Sequence, residues 1–122
     1  MFTPMWIKVW KIKREVRPHN EIFIFLSFSK IETFIIRYRP ELQNSLNLHH
    51  DASEFSVILN LSKEGEDFEG GGTYFPQHEL LLKAPKGHLV MHPGRMTHYH
   101  GVRPITSGER YVIVSFCKFD RS

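Results

Sequence analysis

The stretch Leu48-His49-His50-Asp51 places two potential metal ligands two residues apart near the middle of a chain of 122 residues. Side chains alternate between the two faces of an extended strand, so His49 and Asp51 are expected to project together while His50 faces the other side. One imidazole beside one carboxylate supplies two ligands of the 2-His-1-carboxylate triad that holds non-haem Fe(II). The pattern therefore predicts part of an iron site, completed by a histidine from elsewhere in the chain.

The C-terminal third offers three candidates for that histidine, His92, His98 and His100. A strand beginning at His98 would put His98 and His100 on one face, so alternation alone leaves both open. Arg110 stands at the head of the next strand-like run. Because arginine is permanently charged and binds carboxylates through a planar fork, Arg110 is a candidate to hold the far end of a small dicarboxylate bound at the metal.

Composition excludes several other classes of function. The hydrophobic content of 41% and charged content of 24% are typical of a soluble globular domain. The formal net charge of +3 is small for a nucleic-acid-binding protein, which usually has basic residues densely clustered on one face. Cys117 is the only cysteine, which rules out an internal disulfide and a cysteine zinc site. We therefore expect no nucleic-acid partner.

No targeting or membrane segment is recognisable in the sequence. The apolar run at residues 22–28 is shorter than the roughly 20 residues that a bilayer-spanning helix needs. Residues 1–8 lack the charged start, apolar middle and cleavage site of a secretory signal. These features predict no membrane insertion and, by default, a cytoplasmic location.

The pattern of apolar residues changes from helical to β-like along the chain. Thr3 and Pro4 suit the first positions of a helix, and apolar residues recur at helical spacing as far as Val16. Residues 21–30 are interpreted as extended. Beyond them, short runs between proline- and glycine-containing turns predict a β-sandwich, jelly roll or barrel. The predicted strands are 33–39, 46–51, 54–61, 73–75, 80–82, 88–92, 98–102 and 109–117.

Four motifs occur in a fixed order: HHDAS at 49–53, DFEGGG at 67–72, HPGRMTHYH at 92–100 and GERY at 108–111. With the upstream run FIIRYRP at 34–40, they resemble the C-terminal Fe(II)/2-oxoglutarate dioxygenase domain of procollagen lysyl hydroxylases. The resemblance extends over residues 33–117. It implies a mainly β fold, a double-stranded β-helix (jelly roll), here with one short N-terminal helix. Residues 1–32 would form a support segment and residues 33–122 the dioxygenase core.

The resemblance also implies roles for individual residues. His49, Asp51 and His100 become the iron ligands, and Arg110 becomes the cation for the distal carboxylate of 2-oxoglutarate. The resemblance leaves His92 and His98 as supporting or structural residues. No protein acid or base is assigned, because Fe(II) and 2-oxoglutarate carry the chemistry.

The implied function is a dioxygenase that hydroxylates a peptidyl side chain, with lysine expected, and releases succinate and CO2. It would require Fe(II), 2-oxoglutarate and O2, with ascorbate as a further cofactor, and a protein or peptide as substrate. One alternative is a peptidyl-proline or other hydroxylase of the same superfamily. Another is a truncated, inactive remnant that acts as a binding or homodimerisation module, because residues 1–32 match the family only loosely. Following the family, the chain would work in the secretory pathway.

Overall fold

The computed structural model describes residues 8–11, 30–95 and 97–118, which form an almost entirely antiparallel β structure. A 3-10 turn occupies Pro76–His78. No helix in these ranges has the length and apolar character needed to cross a membrane. The strands are β1 (Lys8–Lys11), β2 (Lys30–Tyr38), β3 (Leu46–His49), β4 (Phe55–Asn60), β5 (Phe68–Gly70), β6 (Thr73–Phe75), β7 (Leu80–Leu82), β8 (His88–Pro93), β9 (His100–Val102), β10 (Ile105–Gly108) and β11 (Arg110–Lys118).

Two sheets and a short ribbon make up this part of the chain. The larger sheet has the order β1-β8-β4-β11-β2, the smaller sheet the order β3-β9-β6-β7, and β10 pairs with β5. A buried cluster containing Tyr38, Val112 and Val114 of the larger sheet packs against Leu46 and Val102 of the smaller one. The mainly β jelly roll predicted from the sequence is therefore confirmed.

Strand β11 is an interior strand of the larger sheet, between β4 and β2, and determines where Arg110 lies. It is rich in β-branched and aromatic residues, which suit a half-buried strand, and it pairs with both β2 and β4. Alternation buries Arg110, Val112 and Val114 on the face toward the smaller sheet. The β2 register places Arg110 opposite Tyr38. The sheet thus carries a guanidinium into the interior between the sheets.

The predicted N-terminal helix is wrong at residues 8–11, which form β1 and pair with β8 from Lys8 opposite Met91 to Lys11 opposite His88. Local helical spacing is a weak signal, and the hydrogen bonds of an available sheet edge outweigh it. The remainder of that helix and most of the extended segment 21–30 lie outside the described residues. The division of the chain at residue 32 stays a prediction.

Further corrections concern strand ends and a missed ribbon. Residues 106–108, predicted as a turn, belong to β10, whose partner β5 was also not predicted. The strand predicted at 98–102 begins only at His100, and the strand predicted at 46–51 ends at His49. Both differences follow from pairing between distant segments, which a local pattern does not record. For example, the Asp51 N–H donates to the Gly94 carbonyl at 2.8 Å.

Gly108 offers a direct test of the β5–β10 ribbon. Its φ of +76° disfavours any side chain, and an added Cβ would lie 2.0 Å from the Asp67 carbonyl oxygen. Gly87 has a similar φ of +80° but open space around it. We expect Gly87→Ala to lower the free energy of unfolding by about 1 kcal/mol, the cost of the left-handed backbone alone. Gly108→Ala should lower it by about 3 kcal/mol, because overpacking adds to that cost.

Chemical unfolding of the two variants beside the native chain measures both effects. Equal losses would mean that the ribbon yields to the added methyl group and does not hold Gly108 against Asp67.

Candidate metal centre

His49, Asp51 and His100 meet at one point between the sheets. One ligand atom of each lies within 4.8 Å of the others, and within the described part of the chain this is the only group of three or more His, Cys, Asp or Glu residues so arranged. Asp51 Oδ1 lies 3.1 Å from His49 Nε2 and 3.4 Å from His100 Nε2. The pairing of β3 with β9 sets His49 opposite His100. Of the three candidate histidines, the structure brings His100 to the pair.

Both histidines are oriented by the backbone carbonyl two residues earlier in the chain. His49 Nδ1 lies 2.6 Å from the Asn47 carbonyl oxygen, and His100 Nδ1 lies 2.7 Å from the His98 carbonyl oxygen. A carbonyl only accepts, so each Nδ1–H donates to it, and Nε2 is the ring nitrogen that faces Asp51. Hydrogen bonding of the outer ring nitrogen is the usual way in which a metal-binding imidazole is fixed. The two rings are therefore preset for a shared ion.

Asp51 is ionised in this environment. Burial alone would raise the pKa of its carboxyl group, but hydrogen bonds from His100, His49 and Ser56 outweigh burial and hold the pKa well below its usual range. The hydrogen bond with Asp51 in turn raises the pKa of His49. A carboxylate close to two imidazole nitrogens can hold a divalent cation. The cation would replace the hydrogen bonds between Asp51 and the two histidines by coordinate bonds.

The other histidines of the two motifs stand around this group. His50 is exposed and its ring lies 5.0 Å from that of Tyr99. The His92 ring is 4.7 Å from that of His100, and His92 Nδ1–H donates to the Pro93 carbonyl at 2.7 Å. Burial, followed by the charge of His100, lowers the pKa of His92 to about 4. His92 is therefore a neutral wall residue.

His98 is buried but is not part of the group formed by His49, Asp51 and His100. Its Nδ1 hydrogen-bonds the Thr97 hydroxyl at 2.7 Å, and its ring packs 4.9 Å from that of His78. Burial is the main cause that lowers its pKa. His98 precedes β9, so His98 and His100 do not share a face of one strand as the sequence predicted.

A cavity of about 260 Å³ extends from His49, Asp51 and His100 into the space between the sheets. Ser56, which contacts Asp51, pairs with Phe116 near the end of β11, whereas Arg110 lies at the start of that strand. The group formed by His49, Asp51 and His100 and the guanidinium of Arg110 thus lie at different levels of one cavity. Its lining is otherwise mainly apolar and includes Phe34, Ile36, Tyr38, Leu46, Ile58, Thr73, Val102, Val112, Val114 and Phe116.

Arg110 is a buried cation, only 8% exposed, in the wall of this cavity. Its Nη2 donates to Asn60 Oδ1 at 3.1 Å, while its Nη1 is buried without a hydrogen-bond partner among the described residues. The rings of Tyr38 and Phe68 lie 5.6 and 5.7 Å from the guanidinium carbon. Burial lowers its pKa, and no carboxylate in the described ranges lies within ion-pair distance of it. An unused donor on a desolvated cation favours an anionic ligand in the cavity.

The GGG run at residues 70–72 passes beside Arg110. All three glycines have positive φ, which glycine tolerates at little cost. A Cβ on Gly71 would lie 3.6 Å from Arg110 Nη1. Beside their permissive backbone geometry, the glycines thus allow the backbone to pass close to the guanidinium.

The model of the 2OG-Fe(II) oxygenase superfamily matches residues 30–119, most of the chain. The chain belongs to this superfamily. The two imidazoles and one carboxylate described above match the ligand set known for non-haem Fe(II) oxygenases, so the residues present fit the metal in the superfamily's name. The buried Arg110 fits a dicarboxylate cosubstrate such as 2-oxoglutarate.

Several curated relatives of this superfamily member are hydroxylases of collagen precursors. Procollagen-lysine,2-oxoglutarate 5-dioxygenase 1 of Rattus norvegicus is 51% identical over 84 residues, 68% of this chain and 12% of the relative. The Homo sapiens multifunctional procollagen lysine hydroxylase and glycosyltransferase LH3 is 46% identical over 87 residues, 70% of this chain and 12% of the relative. The chain thus spans about an eighth of the length of the relatives that it matches.

A solved structure supports the same fold. The viral collagen prolyl hydroxylase of Paramecium Bursaria Chlorella virus-1, in its 2-oxoglutarate complex, superposes with a TM-score of 0.60 over 77% of this chain and 63% of that chain. The sequence identity is 19%, so the match concerns the fold.

Sequence reasoning missed the polar residues that support the site. Ser53 and Ser56 lie behind Asp51, and Asn60 contacts Arg110. One signal was available: Ser56, Ile58 and Asn60 alternate on one face of β4, and that face lines the interior. Two polar residues on the inward face of a strand indicate hydrogen-bond partners inside the fold.

Proposed function

We propose that this chain is an Fe(II)- and 2-oxoglutarate-dependent dioxygenase domain that hydroxylates a lysine side chain of a protein or peptide. One observation carries the proposal: two imidazoles and a carboxylate converge in a cavity whose wall also contains a buried arginine with an unused donor. The membership of the superfamily and the relatives named above support the same chemistry.

His49 and His100 are assigned as ligands through Nε2, and Asp51 as a ligand through Oδ1. Their mutual distances and the backbone hydrogen bonds of both imidazoles support this assignment. Such a triad leaves coordination positions open. Fe(II), when bound there with 2-oxoglutarate and O2, supplies the oxidative chemistry that yields succinate, CO2 and a hydroxylated C–H bond.

Arg110 is assigned as the counter-cation of the distal carboxylate of 2-oxoglutarate. Asn60 holds Nη2 of the guanidinium and thereby leaves Nη1 for the ligand. Between Arg110 and the metal ligands the wall contains Ile58 and Val112, which suit the two methylene groups of the cosubstrate. An apolar wall also excludes water, which strengthens the contact between guanidinium and carboxylate.

Lysine is favoured over proline as the target residue because of the relatives. Those 46–51% identical over more than two thirds of this chain are named for the modification of procollagen lysine. The prolyl hydroxylase shares the fold at 19% identity and carries less weight for the substrate. We include ascorbate in the proposal as the reductant that keeps the iron ferrous.

Turnover with paired peptides tests the proposal. The purified chain is incubated with Fe(II), 2-oxoglutarate, ascorbate and O2, together with collagen-like peptides that differ only in carrying lysine or proline. We expect succinate release in step with the gain of one oxygen atom by the lysine peptide, measured by mass spectrometry. The His100→Ala variant is the control and should release no succinate above background.

The other outcomes separate the alternatives. Oxygen gain by the proline peptide alone would make the chain a prolyl hydroxylase and contradict the lysine assignment. A folded native chain that releases no more succinate than the control would favour an inactive binding module and contradict the enzymatic proposal.

A further inference from the structure

We propose that Ser53 and Ser56 form a buried hydroxyl chain that positions Asp51 to bind the metal through Oδ1 alone. The inference rests on the proposed function, since it concerns the same metal site. It assigns a positioning role to two serines that touch neither the metal position nor the cavity.

The two oxygens of Asp51 have separate partners. Oδ1 faces His49 and His100 at 3.1 and 3.4 Å, whereas Oδ2 accepts a hydrogen bond from Ser56 Oγ at 2.5 Å. Ser56 Oγ also lies 2.8 Å from Ser53 Oγ. One carboxylate oxygen is thus turned toward the imidazoles and the other is held from behind.

The direction of both hydrogen bonds follows from the Ser56 hydroxyl, which donates its single proton to Asp51 Oδ2. Ser56 then has no proton left for Ser53, and Ser53 must donate to Ser56. A hydroxyl that accepts one hydrogen bond while donating another to an anion is a stronger donor, because the two bonds polarise each other.

The hydroxyl chain can position Asp51 because it is buried. Ser53 and Ser56 are each 0% exposed, so water has no access to replace a missing hydroxyl. The backbone holds the same group of residues, since the Asp51 N–H donates to the Gly94 carbonyl and the Gly94 N–H to the Glu54 carbonyl. A Cβ on Gly94 would lie 1.9 Å from Ser53 Oγ, so glycine at that position makes room for the serine.

Binding through one oxygen has a functional consequence. A carboxylate that used both oxygens would occupy an additional coordination position, and this mechanism needs the open positions of the triad for the cosubstrate and O2. Loss of a hydrogen bond that orients a ligand typically weakens metal binding about 10- to 100-fold. The hydroxyl chain should therefore contribute to metal affinity as well as to turnover.

Ser56→Val and Ser56→Thr are a matched pair for the test, because the two side chains have nearly the same shape and only threonine keeps the hydroxyl. Anaerobic titration of each full chain with Fe(II), in competition with a chromophoric chelator, measures the affinity. We expect Ser56→Val to bind Fe(II) about 10- to 100-fold more weakly than the native chain. Ser56→Thr should recover most of that loss. Ser53→Ala should weaken binding in the same direction and by less, because Ser56 still donates to Asp51.

Circular dichroism of the metal-free proteins checks that each variant is folded. Equal Fe(II) affinity of the Val and Thr variants would overturn the inference, because packing and not the hydroxyl would then matter. Should Ser56→Val not fold, native affinity of Ser53→Ala would overturn it instead. A native chain that binds no Fe(II) would contradict the proposed function itself, which distinguishes the two failures.

Discussion

The Arg110→Met variant is expected to bind 2-oxoglutarate roughly 30- to 4,000-fold more weakly than the native chain. Truncating one partner of a buried, hydrogen-bonded charge pair costs about 2–5 kcal/mol, and each 1.4 kcal/mol is a factor of ten. Methionine keeps most of the apolar volume between Tyr38 and Phe68 and removes the charge. The measurement is the 2-oxoglutarate dependence of the Fe(II) charge-transfer band under anaerobic conditions.

The same substitution should leave the ligand-free protein folded. Arg110 has no carboxylate partner among the described residues, so its buried charge is a cost to the free protein, partly offset by Asn60. Arg103→Met is the control, since Arg103 is exposed and stacks on Tyr74 at 4.6 Å outside the cavity. Similar losses of 2-oxoglutarate affinity in the two variants would contradict the role of Arg110.

Replacing a residue of the triad should have the second large effect. His49→Ala, Asp51→Ala and His100→Ala are each expected to reduce Fe(II) affinity by more than the roughly 100-fold limit for loss of a supporting hydrogen bond, because each removes a coordinate bond. Anaerobic Fe(II) titration of the folded variants measures this directly. Succinate release should fall to background in all three.

His98→Ala is the matched control for His100→Ala. The two histidines are two residues apart and both are buried, but only the Nε2 of His100 faces Asp51. His98→Ala is expected to lower stability by leaving space beside Phe75 and His78 while the chain still binds Fe(II). Loss of iron binding in His98→Ala with retention in His100→Ala would transfer the ligand role to His98.

Local patterns predicted well those features that depend on neighbouring residues. The strands at 73–75 and 80–82 have the predicted bounds, and β11 differs by one residue at each end. Helical spacing misled at residues 8–11, and the turn-like composition of 106–108 concealed β10. In both cases a partner strand distant in sequence supplies backbone hydrogen bonds that outweigh the local preference.

The amino-acid sequence by itself determined the chemistry available to this chain. His49 and Asp51 lie two residues apart, and the ordered motifs already matched the lysyl hydroxylase pattern that also gave roles to His100 and Arg110. Only the tertiary structure decided how these groups meet. The β3–β9 pairing selects His100 by geometry, β11 buries Arg110, and β4 brings Ser56 behind Asp51. The physical reason is that side-chain types are local properties, whereas distances between residues far apart in sequence are set by sheet register and packing.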